Sequence, residues 1–139
     1  MNKDDAIKGL DALNLDSIRQ GLHEYNADLP PQERVRLIGK ALHWVDQERR
    51  AVQAVLADID DEDEVRSTLA ISYIETKSRW MALNTKINYA VFRHGACATE
   101  DAFRGFVTSQ LLATIESLLD QEDIDKITSF LAEPVARAA

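Results

Sequence analysis

Two long stretches of this chain repeat their apolar residues at alternating spacings of three and four, and few folds accommodate that. In the first, which opens near Gln32, Val35, Ile38, Leu42, Val45, Arg49, Val52, Leu56 and Ile59 follow the pattern. In the second, Leu69, Tyr73, Thr76, Trp80, Leu83, Ile87 and Ala90 resume it toward His94. A strand repeats every second residue, whereas a sustained mean step of about 3.5 marks a helical seam. The stretch from Gln32 to His94 therefore reads as two long helices joined by the acidic turn Asp58-Ile59-Asp60-Asp61-Glu62-Asp63-Glu64.

If the turn is tight near Asp61 and Glu62, the arms run antiparallel and facing residue numbers sum to about 125. Leu56 then meets Leu69, Val52 meets Tyr73, Val45 meets Trp80, Leu42 meets Leu83 and Ile38 meets Ile87. Both seams match at once, and agreement between independent patterns is what a specified fold requires. The polar layer of this register is Arg49 opposite Thr76, with Glu75 beside it. An arginine in a seam needs a partner or a route to water. Each arm carries a second apolar stripe, Leu37, Ala41, Trp44, Ala51 and Val55 on one, Ala70, Ile74, Met81 and Val91 on the other. Further helices are expected to pack there.

Those helices are found on either side of the hairpin. From Asp4 to Tyr25, Ile7, Leu10, Ile18, Leu22 and Tyr25 share roughly one helical face, with a break expected near Asn14 and Asp16 as the cap of the second piece. Asn26-Ala27-Asp28-Leu29-Pro30-Pro31 ends the segment, and Pro31 suits the first position of the next helix because its missing N–H needs no partner there. Gly95 after Arg93-His94 is a helix stop. Thr99 is the expected N-cap of a helix to Leu119 that buries Phe103, Phe106, Val107, Leu111, Ile115 and Leu118. A last helix near Glu122–Leu131 offers Ile124, Ile127 and Leu131 before Pro134, and residues 133–139 read as a loose tail. The expectation is an all-α single domain, residues 1–139: an antiparallel four-helix bundle built on a long central helical hairpin, with a short fifth C-terminal helix.

Composition narrows the function classes. A length of 139 residues with 45% apolar and 29% charged content fits one soluble globular domain. No apolar run approaches the roughly 18 residues that span a bilayer, and Met1-Asn2-Lys3-Asp4-Asp5 lacks the basic start and apolar core of a secretory signal. A single cysteine, Cys97, excludes an internal disulfide and fits a reducing, cytoplasmic setting. The net charge of −8 argues against general nucleic-acid or anionic-membrane binding, while permitting a basic protein partner or mimicry of nucleic acid.

No catalytic constellation stands out in the sequence. Carboxylate-bridged iron needs Glu-x-x-His pairs, but Gln20, Lys40 and Val91 stand three residues before His23, His43 and His94. His23-Glu24 lacks the second histidine of a zinc-protease motif. A calcium loop begun at Asp58 would put Asp63 where glycine is needed and Leu69 where the bidentate glutamate belongs. Cys97 precedes a helix start and follows His94 closely, yet no Cys-His-Asn set accompanies it. No cofactor and no metal are expected. Trp44 and Trp80 lie on apolar stripes and are expected to pack in the core. Gly9, Gly21, Gly39 and Gly105 fall inside helices, where close helix crossings account for them, Gly39 and Gly105 at similar heights.

Arg36 and His43 form Arg-x6-His, which is similar in spacing to the motif of the small helical nucleic-acid-cleaving HEPN family. The resemblance covers these two residues. It implies that Arg36 positions phosphate and His43 relays protons, across a dimer. The seam puts each one place after an inward residue, Val35 and Leu42, and so on the helix exterior, where both read as surface residues.

Charge distribution is the remaining clue. Tracing the expected bundle, the acidic turn and Asp120-Gln121-Glu122-Asp123-Ile124-Asp125 fall at one end, while Arg34, Arg36, Lys40, Lys86, Arg93 and Arg104 collect at the other. Acids at the starts of helices and Arg93 at an end suit the helix dipole. Asp58 and Asp60 closing the first arm, and Arg34 and Arg36 opening it, do not. Local rules are most often broken at functional surfaces. The sequence thus points to a non-enzymatic protein-binding module, a small adaptor, chaperone, inhibitor or regulator that touches another protein through its charged ends. The residues expected to do so are Asp58, Asp60, Asp61, Glu62, Asp63, Glu64, Asp120, Glu122, Asp123, Arg34 and Arg36. A structural homodimer, through Trp44 and its neighbours, is the other non-enzymatic option.

Overall fold

The computed structural model describes residues 1–138, with side chains through Ala132. Six helices make up the described chain: α1 (Lys3–Leu10), α2 (Leu15–Tyr25), α3 (Pro31–Ala57), α4 (Glu62–His94), α5 (Thr99–Glu116) and α6 (Gln121–Ala138). None is long and apolar enough to cross a membrane among the described residues. The two seam-bearing stretches are the two longest helices, α3 with 27 residues and α4 with 33.

The ends of the helices follow local chemistry. The break in the first segment is real, but Asn14 caps α2, its side chain accepting from the Ser17 N–H at 3.0 Å. Asp16 instead lies inside the first turn and pairs with Arg19 at 3.1 Å. Asn2 caps α1 in the same way, through the Asp5 N–H at 2.8 Å. Pro31 takes the first position of α3. Asp61 caps α4, accepting from the Asp63 N–H at 2.9 Å. Gly95 ends α4 in the left-handed region, φ 77°, which a residue without a Cβ reaches at no steric cost. Thr99 is not a cap: it is the first residue of α5, and Ala98 before it contributes no side-chain bond. The last helix is longer than the expected short fifth helix. The expected loose tail, 133–139, lies outside the residues whose side chains are described.

Packing departs from a two-stranded hairpin. α5 makes the most extensive contacts with both α3 and α4, and those two touch each other less than either touches α5. The inward residues Ile38, Leu42, Val45, Leu56, Leu69 and Tyr73 are buried as the periodicity requires. They join Val107, Leu111 and Ile115 of α5 in one core that draws on every helix from α1 to α6. Lys40 meets Glu100 at 2.9 Å and Trp44 lies under Arg104 at 4.8 Å, so α3 and α5 keep step and run the same way. Ile87 sits against Gly105 of α5, where an added Cβ would be 3.1 Å from its Cδ1. Each seam thus faces inward over much of its length, Val35 being exposed. Its counterpart is largely a third helix, because α5 supplies a continuous apolar ridge and fills the cleft between the arms.

Arg49 is the plainest correction. Its polar partners lie on α3 and in the α1–α2 corner, not on α4. Its guanidinium pairs with Asp46 and donates to the Leu13 carbonyl at 3.0 Å, tying α3 to the corner between α1 and α2. The polar layer between α3 and α4 is built instead from Glu48 and Arg79, 3.1 Å apart, with Arg79 donating to Thr76 Oγ1 at 3.3 Å. Thr76 itself is buried. α1 runs antiparallel to the second half of α3: Lys3 reaches Ala57 and Asp60, and Gln53 donates to the Ile7 carbonyl at 2.9 Å. Of the second stripes, Leu37 and Ala41 are buried, whereas Val55, Met81 and Val91 are exposed, as is Val35 of the seam.

The glycines divide. Gly9 lies against Leu118 and Gly105 against Ile87, which are close approaches of the expected kind. Gly21 and Gly39 have nothing within 4 Å of an added Cβ, so close crossing does not explain them.

Candidate functional site

The two acidic runs meet at one end of the molecule. Glu62 and Asp63 from the start of α4, and Asp120 and Asp123 from the start of α6, line the same cleft of about 290 Å³ with Arg66, Leu118 and Leu119. Position follows from local chemistry. Asp61 caps α4 and leaves Glu62, Asp63 and Glu64 in its first turn, where the helix dipole favours them. Glu122 and Asp123 occupy the first turn of α6 for the same reason.

Arg66 holds the two runs together. Its Nε donates to Asp123 Oδ2 and its Nη2 to Asp123 Oδ1, both at 2.7 Å, the two-point geometry that suits a planar guanidinium. The hydrogen bonds from Arg66 hold the Asp123 carboxyl below its usual range, against an opposing push from burial. The same bonds raise Arg66 further above neutrality, and Asp120 and Glu122 add to this at a distance.

Lys3 answers the end of α3. That helix has no base in its own last turn, and Lys3 of α1 fills the role, donating to the Ala57 carbonyl at 3.3 Å and to Asp60 Oδ1 at 3.2 Å. The acids Asp58 and Asp60, unfavourable at a helix C-terminus, are therefore offset in part by a residue from another helix. Among the described residues no ion pair engages Asp58, Asp61, Glu62, Asp63, Glu64 or Asp120, while Glu122 pairs with Lys126 at 3.1 Å.

At the opposite end the cations are mostly taken up within the fold. Arg34 is half-buried and donates to the Asn26 carbonyl at 3.5 Å, joining α2 to α3. Arg36 lies across Glu33, with Nη2 to Oε1 at 2.7 Å and Nε to Oε2 at 3.3 Å, and this bond lowers the Glu33 pKa. Lys40 and Lys86 hold Glu100 and Asp101, both in the first turn of α5, at 2.9 and 3.1 Å. The Lys40 bond puts the Glu100 carboxyl below its usual range. Arg104 stacks on Trp44, and Lys77 lies 5.5 Å from the Trp80 ring. Both tryptophans are half-buried against the core, each beneath a cation. Arg34 and Arg36 are thus tied to neighbours, and the acidic end keeps more of its charge open.

Both acid runs lie at one end, as the sequence pattern implies, whereas Arg66 and Lys3, the residues that organise them, do not follow from that pattern. Arg66 could have been noticed as a base three residues after Asp63 in a part of α4 where the dipole disfavours it.

Arg36 and His43 are both exposed on α3. Cys97 is half-exposed in the α4–α5 link. Among the described residues no three His, Cys, Asp or Glu side chains are grouped to hold a metal ion. An apolar cleft of about 450 Å³ lies between α2 and α5, lined by Ile18, Gly21, Leu22, Tyr25, Phe103 and Phe106, with only Ser17, Asn26 and Gln110 as polar neighbours. Compared with known families, curated proteins and solved structures, the chain matches none.

Proposed function

We propose that this protein is a non-enzymatic protein-binding module of the cytoplasm, a small adaptor or regulator, whose acidic end receives a basic segment of a partner protein. The frame of the proposal is an antiparallel four-helix bundle in which α3, α4 and α5 are three arms and the α1–α2 pair is the fourth. The observation that carries the reading is the cleft where Glu62, Asp63, Asp120 and Asp123 converge from two separate helix starts around Arg66. One cation cannot neutralise four carboxylates, so the cleft retains negative charge toward solvent. A lysine or arginine entering beside Arg66 would gain several charge-assisted hydrogen bonds without displacing a structural one. Complementary charge of this kind chiefly speeds encounter and selects partners, and it fades as salt rises.

The test is affinity capture with the wild-type chain and with a variant carrying Asp60→Asn, Asp61→Asn, Glu62→Gln and Asp63→Asn. Asparagine at position 61 keeps a capping oxygen, so α4 is expected to remain intact. The wild type should retain a basic partner at low salt and lose it as salt rises, and the variant should retain little at either. Equal capture by both chains would refute the acidic-end reading.

A further inference from the structure

The joint between α3, α4 and α5 is open to solvent at the level of Trp44. α4 has no fully buried residue after Thr76, and Trp44 and Leu83 are only half-buried. A cleft of about 260 Å³ remains there, lined by Trp44 of α3, Arg79, Ala82, Leu83 and Lys86 of α4, and Arg104 of α5. The lining is an indole, two aliphatic side chains and three cations, with no carboxylate, in a chain of net charge −8. The three cations are not equally committed. Arg79 pairs with Glu48 and Lys86 with Asp101, each at 3.1 Å, and both acids lie outside the lining. Among the described residues no carboxylate lies within ion-pair distance of Arg104, whose guanidinium sits over the Trp44 ring, 4.8 Å from its centroid. Glu100, one turn earlier on α5, feels the Arg104 charge but is bonded to Lys40 at 2.9 Å. Arg79 also keeps a donor unused, since its Nε is shielded from solvent and has no hydrogen-bond partner among the described residues.

We propose that this cleft binds a small aromatic carboxylate, its ring against Trp44, Ala82 and Leu83 and its charged group on Arg104. Size comes first: the volume falls just under the roughly 300–1,000 Å³ of sites that take drug-sized ligands, so the occupant is small. Charge comes next. Two of the three cations already have an acid and one has none, which matches a single negative charge and leaves the second charge of a dianion unanswered. A guanidinium held over an aromatic ring still has its in-plane N–H groups to offer, and their fork fits the two oxygens of a carboxylate. Lys86 and Arg79 strengthen the field around that bond. The apolar half of the lining supplies surface for a ring to bury, which a purely polar anion cannot use. The cleft shares no residue with the acidic one around Arg66, so either reading can fail without the other.

Trp44 itself reports on the site. Trp80→Phe leaves it as the single indole of the chain, and its emission is followed at low salt while benzoate is added. Benzyl alcohol, a ring without the charge, and acetate, the charge without a ring, are the controls. Benzoate should give a saturable change with a midpoint at least about tenfold below that of either control. Arg104→Gln in the same background should raise the benzoate midpoint by about tenfold or more, the usual worth of bonds to a charged group. Arg104→Lys, which keeps the charge and loses the fork, should recover only part of it. Arg93→Gln removes a charge from the same end of the molecule and should leave the midpoint where it was. Isothermal titration of the unsubstituted chain repeats the comparison without reliance on the Trp80 variant, and thermal melting checks that each variant is folded. No saturable response to benzoate in either measurement, a control that binds as well, an Arg104→Gln midpoint unchanged, or an equal loss in Arg93→Gln would each overturn the proposal.

Discussion

Arg66 and Asp123 meet through two parallel hydrogen bonds of 2.7 Å, joining the first turns of α4 and α6. The Asp123 side chain is 15% exposed and that of Arg66 57%, so the carboxylate is the sheltered partner. Because the folded state lowers the Asp123 pKa, the linkage has a definite sign. The stabilisation is complete above the ordinary aspartate pKa and is lost as pH falls through the lowered, folded value. Arg66→Gln should therefore be less stable than wild type at pH 7, and the gap should narrow as pH falls below the ordinary aspartate pKa toward the lowered, folded one. Urea denaturation at pH 7 and at successively more acid pH measures this. A gap that widened in acid would show that the side chain acts by packing alone.

Arg49 and Arg50 both reach Asp46, yet they should not be equivalent. The Arg49 side chain is 12% exposed and also donates to the Leu13 carbonyl, whereas that of Arg50 is 73% exposed and has no second partner among the described residues. Removing Arg49 strands the Leu13 carbonyl and leaves Asp46 to the exposed Arg50 alone, and an unsatisfied sheltered group costs roughly 1–3 kcal/mol. An exposed pair is worth about 0–1 kcal/mol. Arg49→Ala should lower unfolding free energy by about 2 kcal/mol or more and loosen the α1–α2 corner, while Arg50→Ala changes little. Hydrogen exchange of the Leu13 to Leu15 amides would locate the effect.

The fate of Arg49 shows what periodicity can convey. Spacing identifies which face of a helix turns inward, and Ile38, Leu42, Val45, Leu69 and Tyr73 were legible as core for that reason. Spacing does not say which helix fills the groove. A hydrophobic face is satisfied equally by α4 or α5, since burial is non-directional. The pairing of Ile87 with Gly105 therefore could not be read from α3 and α4 alone. Polar residues fare differently. Acid runs at helix starts were legible through capping and dipole rules. The cations that answer them, Lys3 and Arg66, come from elsewhere in the fold and leave only a weak local trace.

Capping at the α1–α2 corner offers a direct measurement. Asn14 accepts from the Ser17 N–H at 3.0 Å, while Asp16 bonds Arg19 on the exposed surface. Loss of an N-cap side chain costs about 1 kcal/mol, and an exposed pair one turn apart costs at most a few tenths. Asn14→Ala should thus destabilise the protein several times more than Asp16→Ala. Equal losses would indicate that Asp16 caps α2 in solution.

Gly39 and Gly105 allow the last comparison, because both sit inside helices and differ in their surroundings. Glycine in a helix interior costs about 0.8–1 kcal/mol relative to alanine, chiefly through the freedom it restores to the unfolded chain. At Gly39 an added Cβ meets nothing within 4 Å, so Gly39→Ala should recover most of that amount. At Gly105 the Cβ would lie 3.1 Å from Ile87 Cδ1, and Ile87 would have to give way. Overpacking opposes the gain there, so Gly105→Ala should stabilise less than Gly39→Ala or destabilise outright. Urea midpoints of the two variants and of the pair answer this, and the pair should be additive because the sites share no neighbour. If Gly39→Ala brought no gain, the residue would be held by something other than the helix it sits in.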